Sequence, residues 1–281
     1  MRTIAYNDIV AGVRDLCITA ACDLPGDVLD ALALARSREQ SPAAQSILDS
    51  CIQNAQCAAS GRIPICQDTG FVVFFVDMGA LVTVEGGTVI DAINEGTRQG
   101  YTQGYLRASI VDDPLYARKN TKDNTPAVIH LSIYPGSGLA ITLAPKGGGS
   151  ENMGACIMLK PSDGEQGVID FVTRTVVAAG GNPCPPTIVG VGIGGTMEMA
   201  ALQAKKALLR PLGTSNADPQ YARLERVMLN AVNASGVGPQ GLGGAETALA
   251  VHIATFPCHI ASLPVAVALN CHAARHATKV W

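Results

Sequence analysis

The sequence predicts an α/β protein in which a helical N-terminal third is followed by mixed β-strands and helices. Apolar residues recur at helical spacing through Ile4–Ala21, Val28–Ala35 and Ala43–Ala58. Beyond Gly70, short β-branched runs alternate with helical patterns and glycine-rich turns. With 281 residues, 48% of them apolar, the chain can form one large domain or two modest ones.

After the first third, a buried strand and a long loop are predicted. The run Gly70–Met78 is aromatic and β-branched, which indicates a buried strand, and Leu81–Val84 is a possible partner for it. A helix follows over about 89–106. Residues 107–126 are polar and contain two proline breakers, so they predict a long loop, and loops of this length are usually functional.

The rest of the chain alternates strands and helices. Ala127–Tyr134 and Leu139–Leu143 predict a hairpin, joined by a Pro-Gly-Ser-Gly turn, and a glycine loop follows over 145–149. Further predicted elements are helices over 164–179, 196–209 and 224–234, a strand over 187–193 and a second glycine loop over 236–244.

The apolar run Thr247–Leu269 is long enough to span a membrane, but its composition favours another interpretation. Pro257 and Pro264 would break a helix, and His252 and His259 would be costly to place in lipid. Two buried strands with a turn between them explain the same residues, so we expect no membrane span.

Composition and charge exclude several classes of partner. Only 15% of residues are charged and the net charge is −3, so we expect no nucleic acid partner and no binding to an anionic membrane. Met1–Asp23 shows no secretory signal, and nine cysteines are then typical of a reducing cytoplasm. A high apolar fraction with few charges predicts an oligomer.

Three cysteines lie in polar settings at the ends of predicted elements. Cys66 begins the string CQDTG, Cys184 lies within NPCPP and Cys271 lies within NCHAAR. A free cysteine is most often a small core residue, and most of the others lack this polar context. Cys258 is the rival for the third position. The three strings predict thiolate ligands of one [4Fe–4S] cluster, in which one iron stays open to substrate.

These strings and KGGGSENMG at 146–154 resemble the α subunit of class I, iron–sulfur fumarate hydratases, and the L-tartrate dehydratase α subunit is a close relative. The resemblance runs through nearly the whole chain, so it implies a single hydro-lyase α-subunit domain over 1–281. It implies a [4Fe–4S] cluster on Cys66, Cys184 and Cys271 and reversible hydration of fumarate to malate. It also implies that the base for the carbon-bound proton lies on a separate β subunit or on a carboxyl-terminal domain, and we expect a β subunit as the partner. A non-catalytic iron–sulfur module is the alternative from another class.

Asp68 and Gln67 follow the first of these cysteines. Alone, Asp68 would be interpreted as the cap of a turn at Thr69-Gly70. Next to an open iron, a carboxyl group can instead exchange the proton of the substrate hydroxyl. The resemblance implies that both residues approach the substrate.

Two further side chains are candidates for binding a dicarboxylic acid. Arg107 is predicted to end a helix, where it would face the negative end of the dipole, or else to clamp one carboxylate. Its string YLRAS resembles the fumarate hydratase form. By resemblance His259 is a partner of the second carboxylate, although a lone histidine is more often structural. The remaining histidines are interpreted as structural: His130, His252, His272 and His276.

Gly147, Gly148 and Gly149 can turn backbone N–H groups toward an anion, although an ordinary turn is the simpler interpretation. The Ser-Glu-Asn that follows resembles the fumarate hydratase form, and this resemblance favours fumarate over tartrate. A second glycine pattern, GVGIGG at 190–195, fits a dinucleotide motif between a strand and a helix. The pattern lacks the acidic residue about 20 positions further on that would bind the ribose, so we expect that it does not form a nucleotide site.

Overall fold

The computed structural model describes residues 1–281 as a mixed α/β chain, which confirms the predicted fold class. Its strands are β1 (Arg2–Ala5), β2 (Phe71–Gly79), β3 (Val82–Glu85), β4 (Val128–Tyr134), β5 (Leu139–Lys146), β6 (Ala155–Leu159), β7 (Thr187–Gly194), β8 (Ala248–Phe256), β9 (Leu263–Asn270) and β10 (Ala277–Val280). Its helices are α1 (Tyr6–Cys22), α2 (Gly26–Arg38), α3 (Pro42–Gly61), α4 (Val89–Gln103), α5 (Gly148–Glu151), α6 (Gly164–Ala179), α7 (Met197–Ala207) and α8 (Pro219–Asn233).

The chain divides into two compact units. Unit 1 comprises Met1–Leu24, Ala55–Gly147 and Arg275–Trp281, and unit 2 comprises Pro25–Asn54 and Gly148–Ala274. The predicted helical first third is confirmed by α1, α2 and α3, with the short strand β1 before them. Whether 1–281 acts as a single catalytic domain stays a prediction.

Unit 1 is built on a four-stranded sheet in the order β10-β5-β2-β4. The central strand β2 is buried over Val72–Val76, as its apolar run predicts. It pairs in parallel with β4 and antiparallel with β5. The predicted hairpin of β4 and β5 is therefore wrong, because β2 lies between them and pairs with both. The predicted pairing of the 81–84 region with β2 is also wrong, since β3 pairs with β1.

Helices α1 and α4 pack closely in the core of unit 1. Cβ atoms added at Gly96 and Gly100 would lie 2.6 Å from the Cβ atoms of Val13 and Cys17, so only glycine allows this approach. Helix α4 ends at Gln103. Arg107 therefore lies in the following loop and not at a helix end, which corrects the sequence prediction. The helix ends early because Leu106 turns back, donating its N–H to Tyr101 O at 2.9 Å.

Unit 2 contains a second four-stranded sheet, in the order β6-β9-β7-β8. The two buried strands predicted within 247–269 are confirmed as β8 and β9, and each pairs with β7. The predicted glycine loop at 145–149 is only partly correct, because β5 runs to Lys146 and α5 begins at Gly148. No helix of the chain is long and apolar enough to cross a membrane.

The GVGIGG pattern lies where β7 leads into α7, and packing explains its first two glycines. Cβ atoms added at Gly190 and Gly192 would collide with the carbonyl groups of Ala204 and Ala200 in α7. Val189 and Val191, which alternate with these glycines along β7, belong to the core cluster that includes residues of α6 and α8. The glycines therefore let one helix lie directly on the strand while the opposite face fills the core.

Candidate active site

The segment Cys66–Gly70 precedes β2 in unit 1. Cys66 is partly exposed and Gln67 is exposed, whereas Thr69 and Gly70 are buried. The Cys66 thiol lies 3.4 Å from Gln67 Oε1. The segment thus presents its cysteine and its glutamine outward and is anchored by its last two residues.

Asp68 forms the turn that the simpler interpretation predicts, and its carboxylate also reaches a second predicted motif. Its Oδ1 accepts the Gly70 N–H at 2.9 Å. A Cβ atom added at Gly147 would lie 3.3 Å from Asp68 Oδ2. The absence of a side chain at Gly147 therefore leaves the second carboxylate oxygen its space.

Arg275 holds the backbone of Asp68. Its Nη2 donates to the Asp68 carbonyl oxygen at 3.1 Å. The residue is only 3% exposed, and its Nε and Nη1 have no hydrogen-bond partner. A buried guanidinium with two unsatisfied donors is costly, which marks this position as functionally constrained. Sequence reasoning gave Arg275 no role, although it ends the NCHAAR string that drew attention to Cys271.

The loop that carries Arg107 is tied to the same segment. Thr69 Oγ1 donates to the Arg107 carbonyl oxygen at 3.0 Å. Asn124, which is fully buried, donates to Gly70 O at 3.1 Å and accepts the Ser109 N–H at 2.7 Å. The exposed Arg107 side chain therefore projects from a backbone that is fixed relative to the CQDTG segment.

The buried Tyr101 of α4 binds the backbone of the CQDTG segment. Its hydroxyl lies 3.0 Å from the carbonyl oxygens of both Thr69 and Gly70. Burial raises the pKa of Tyr101, so the phenol keeps its proton and remains a donor. Neither Tyr101 nor Asn124 was predicted, since only tertiary contact distinguishes them from ordinary helix and loop residues.

In unit 2, the structure joins the segments of Cys184 and Cys271. The Cys184 carbonyl oxygen accepts the backbone N–H of His272 at 3.2 Å and lies 3.0 Å from His272 Nδ1. Cys184 is exposed and Cys271 is partly exposed. Two of the three predicted ligands thus belong to one local structure, and His272, interpreted as structural, is the link between them.

Cys51 is a further thiol near this pair. It lies in α3 and is 7% exposed. Burial, together with the neighbouring Cys271 and Cys184, raises the pKa of Cys51 to about 11. The sequence gave it no role because an apolar helical setting is typical of a core cysteine.

The donor chemistry at the three predicted ligand positions fits an iron–sulfur cluster. None of the nine cysteines forms a disulfide bond, so thiols are present at all three predicted positions. No three His, Cys, Asp or Glu side chains converge as ligands of a single metal ion. Cluster thiolates bind different iron atoms and need not converge on one point. Cys184 and Cys271, whose segments are joined, fit two of the ligand positions. The third predicted ligand, Cys66, belongs to unit 1.

The remaining glycines of the 147–149 string begin unit 2. A Cβ atom added at Gly149 would lie 3.1 Å from Asn182 O, just before the NPCPP cysteine. Glu151, at the end of α5, pairs with Lys205 Nζ at 2.6 Å. Gly148 and Gly149 thus belong to the unit that contains Cys184, whereas Gly147 belongs to unit 1.

His259 lies in the exposed turn between β8 and β9. Its Nδ1 accepts the Ala261 N–H at 3.1 Å, and its carbonyl oxygen accepts the Ser262 N–H at 3.0 Å. The rival Cys258 lies in the same turn, where its thiol donates to Ser262 O at 3.3 Å. The structure thus places His259 on a local turn with an accessible ring.

Two other histidines have structural surroundings. His130 stacks on Phe75 with ring centroids 5.2 Å apart. His252 is buried with its Nδ1 3.2 Å from Ala207 O, and burial together with the Arg210 cation lowers its pKa to about 4. Neither contact involves a predicted site residue.

Comparison with known proteins identifies the family. Residues 10–280 match the family model described as Fumarate hydratase (Fumerase). The chain belongs to this family. The resemblance predicted from CQDTG, KGGGSENMG, NPCPP and NCHAAR is therefore confirmed, and the protein is a hydro-lyase of a family that implies an iron–sulfur cluster.

Relatives in this fumarate hydratase family include α subunits of another hydro-lyase. The chain is 42% identical over 273 residues, covering 95% of both sequences, to the putative L(+)-tartrate dehydratase subunit alpha of Methanocaldococcus jannaschii. It is 32% identical over 276 residues to the L(+)-tartrate dehydratase subunit alpha of Escherichia coli, covering 98% of this chain and 91% of that one. The Shigella sonnei protein of the same name matches to the same extent.

Proposed function

We propose that this chain is the α subunit of an iron–sulfur hydro-lyase that reversibly hydrates fumarate to L-malate. The observation that supports this most is the set of contacts around Asp68. Thr69 ties its segment to Arg107, Gly147 borders its carboxylate, and Arg275 binds its carbonyl group. An acid–base group can exchange the proton of a hydroxyl group, and a guanidinium can bind a carboxylate, so these residues supply chemistry that suits hydration of a dicarboxylate.

Cys66, Cys184 and Cys271 would hold a [4Fe–4S] cluster. When bound, such a cluster supplies an open iron that acts as a Lewis acid and makes hydroxide a better leaving group. The preference for Cys271 over Cys258 is supported by the contact of His272 with Cys184, since Cys258 already donates within its own turn.

Asp68 would hold and transfer the proton of the substrate hydroxyl. One carboxylate oxygen accepts the Gly70 N–H, and in this proposal Oδ2, which lies on the side of Gly147, transfers the proton. The backbone is fixed by Arg275, so the carboxylate cannot swing away with its segment. Positioned proton transfer of this kind contributes about 10²- to 10⁴-fold to a rate.

The two carboxylates of the substrate need separate partners. In this proposal Arg107 binds one carboxylate with its guanidinium, and His259 donates to the other. Gln67 and the backbone N–H groups of Gly147, Gly148 and Gly149 orient the remaining oxygens. Removal of the carbon-bound proton is assigned to a β subunit, because none of these residues is free for that step.

The partner and the setting follow from the family. The relatives named above are each called subunit alpha, which supports a β-subunit partner for this chain and a hetero-oligomeric enzyme. We propose a cytoplasmic enzyme, since exposed thiols such as Cys184 would be oxidised elsewhere.

L-Tartrate is the second candidate substrate. The names of the relatives at 42% and 32% identity favour it. The strings YLRAS and Ser150-Glu151-Asn152 favour fumarate. Both substrates are four-carbon dicarboxylates that lose or gain water, so the same residue roles serve either reaction.

A substrate comparison tests the assignment. The chain would be produced with its β subunit and reconstituted anaerobically with iron and sulfide. Fumarate consumption is followed by its ultraviolet absorbance, and oxaloacetate formed from L-tartrate is measured in parallel. We expect a higher kcat/KM for fumarate. A higher value for tartrate would move the assignment to the second candidate, and a loaded cluster with neither activity would contradict both.

A further inference from the structure

The glycine loop at 236–244 has no role in the proposed reaction, yet it lies against the segment that carries Cys184. A Cβ atom added at Gly181 would lie 2.9 Å from Gln240 O, and one added at Gly241 would lie 2.5 Å from Gly181 Cα. Both distances are too short for a real Cβ atom, so only glycine fits at positions 181 and 241. The backbone of the loop therefore rests directly on the backbone of the turn before Cys184.

Gln240 makes the polar contacts across this packing. Its backbone N–H donates to Pro185 O at 2.8 Å, and its side-chain Nε2 donates to the same oxygen at 2.9 Å. The same Nε2 lies 3.1 Å from His272 Nδ1. One amide group thus contacts the residue that follows Cys184 and the residue that follows Cys271.

His272 completes a closed set of contacts. Its backbone N–H and its Nδ1 both lie within hydrogen-bond distance of Cys184 O, at 3.2 and 3.0 Å. Nδ1 either donates to Cys184 O or accepts from Gln240 Nε2, depending on the tautomer, while the backbone N–H of His272 donates to Cys184 O in both cases. These contacts link Cys184, Pro185, Gln240 and His272, which come from three distant segments. Loss of any one link leaves the others with fewer restraints.

Two of these residues have a strained backbone. Cys184 and Gln240 both have φ of +54°, in the left-handed region that side chains disfavour. Such conformations persist only where the surroundings hold them, and they cluster at functional sites. Here the two Gln240 hydrogen bonds to Pro185 O hold the strained residues next to each other.

We infer that Gln240 is a positioning residue for the two cluster ligands of unit 2. It acts on Cys184 through Pro185 and on Cys271 through His272, and it fixes the separation of the two thiols. This inference rests on the proposed function, because it assigns both thiols to the cluster. Residues that orient metal ligands typically change metal affinity by about 10- to 100-fold when removed.

The test uses Gln240→Gly, which removes the amide and leaves a residue that adopts a positive φ without strain. Gln166→Ala is the matched control, because Gln166 also belongs to unit 2 and its amide bonds only to exposed Asp170 within α6. Both variants and the wild type are reconstituted anaerobically with the β subunit, and iron release to a chelator is timed. We expect release to be about 10- to 100-fold faster in Gln240→Gly and unchanged in Gln166→Ala.

A second readout needs no cluster. Hydrogen exchange of the apo protein is measured over peptides 181–187 and 268–273. Faster exchange confined to both peptides in Gln240→Gly supports the inference, and equal exchange together with equal iron release overturns it. If wild type loads no cluster, the proposed function fails while the exchange result still decides the positioning role. If Gln240→Gly does not fold, Gln240→Glu keeps the size, removes the Nε2 donor and tests the same contact.

Discussion

The Asp68 segment of unit 1 and the Cys184 segment of unit 2 are held in place by different means. Asp68 is fixed by a buried cation, Arg275, whose Nε and Nη1 have no partners. The Cys184 segment is held by Gln240, which donates to Pro185 O, and by His272, which contacts Cys184 O, and Cys184 has a left-handed backbone. In the first region the unfavourable free energy comes from a buried charge, and in the second it comes from a strained backbone conformation.

This difference indicates what each region has to do. A residue that transfers a proton needs an invariant position, which a buried and rigid anchor provides. A thiolate that binds a cluster is fixed by the cluster once it is loaded, so its segment needs only the correct local geometry beforehand. Substitutions of residues that hold the Asp68 segment should therefore reduce turnover with iron retained, whereas substitutions of residues that hold the Cys184 segment should release iron.

Outside the three predicted cluster ligands, the largest effect is expected for Asp68→Asn. The amide cannot exchange the hydroxyl proton, so kcat should fall by about 10²- to 10⁴-fold while iron content stays at the wild-type level. Asp77→Asn, on the exposed side of β2, is the control and should keep full activity. Turnover within a few-fold of wild type in Asp68→Asn would remove this residue from the proposed mechanism.

Arg275→Met should have the next largest effect. Loss of the donor to Asp68 O lets the carboxylate shift, and a shift of about 1 Å can reduce kcat by about 100-fold. KM should change little, Arg275→Lys should recover part of kcat, and Arg14→Met on α1 is the control. Because the methionine removes a buried charge with unsatisfied donors, the melting temperature should not fall. A large fall in melting temperature with kcat intact would show a structural role only.

Arg275 is a buried residue that carries a charge, whereas His252 of unit 2 is a buried residue that is kept neutral. Its pKa of about 4 in the folded protein lies below the ordinary value of 6.5. Below pH 6.5 the unfolded chain takes up a proton that the folded chain does not, so stability should fall as the pH drops toward 4. Between pH 8 and pH 5 this amounts to about 2 kcal/mol.

Urea unfolding across this pH range measures that loss. His252→Gln cannot take up the proton in either state, so its stability should fall less steeply with decreasing pH. Arg210, Glu225 and Asp27 also act on His252 and are present in both proteins, so they cancel in the comparison. Parallel curves for the two proteins would contradict a neutral buried His252.

The smallest effect is expected for Gly147→Ala. The added methyl group would lie 3.3 Å from Asp68 Oδ2, so the carboxylate has to move by a few tenths of an ångström. We expect kcat to fall by about tenfold with iron retained. Gly26→Ala, where an added Cβ meets nothing within 4 Å, is the control. Iron loss in Gly147→Ala would contradict the expectation that substitutions around Asp68 leave the cluster in place.

Local patterns predicted the elements of this fold better than their pairing. The helical spacing of the first third and the apolar run of β2 were sufficient to place those elements. The β4–β5 hairpin failed because the turn chemistry of Pro135–Gly138 is local, whereas insertion of β2 between the two strands depends on distant residues. The end of α4 failed for a similar reason, since the turn at Leu106 is stabilised by tertiary burial.

The site shows the same division. Strings such as CQDTG and NPCPP could be recognised because the chemistry of cysteine beside polar or proline residues is local. Arg275, Asn124 and Gln240 could not be assigned, because each acts through a carbonyl group far away in sequence. Backbone carbonyl groups are the same in every residue, so such partners leave no signal in the sequence.

The most direct test of the account is the iron and acid-labile sulfide content of four serine variants, reconstituted anaerobically under identical conditions. Cys66→Ser, Cys184→Ser and Cys271→Ser should each lose the cluster and all turnover. Cys258→Ser should load and turn over like wild type, because its thiol serves only its own turn. A full cluster in any of the first three variants, or loss of the cluster in Cys258→Ser, would contradict the assignment of the site.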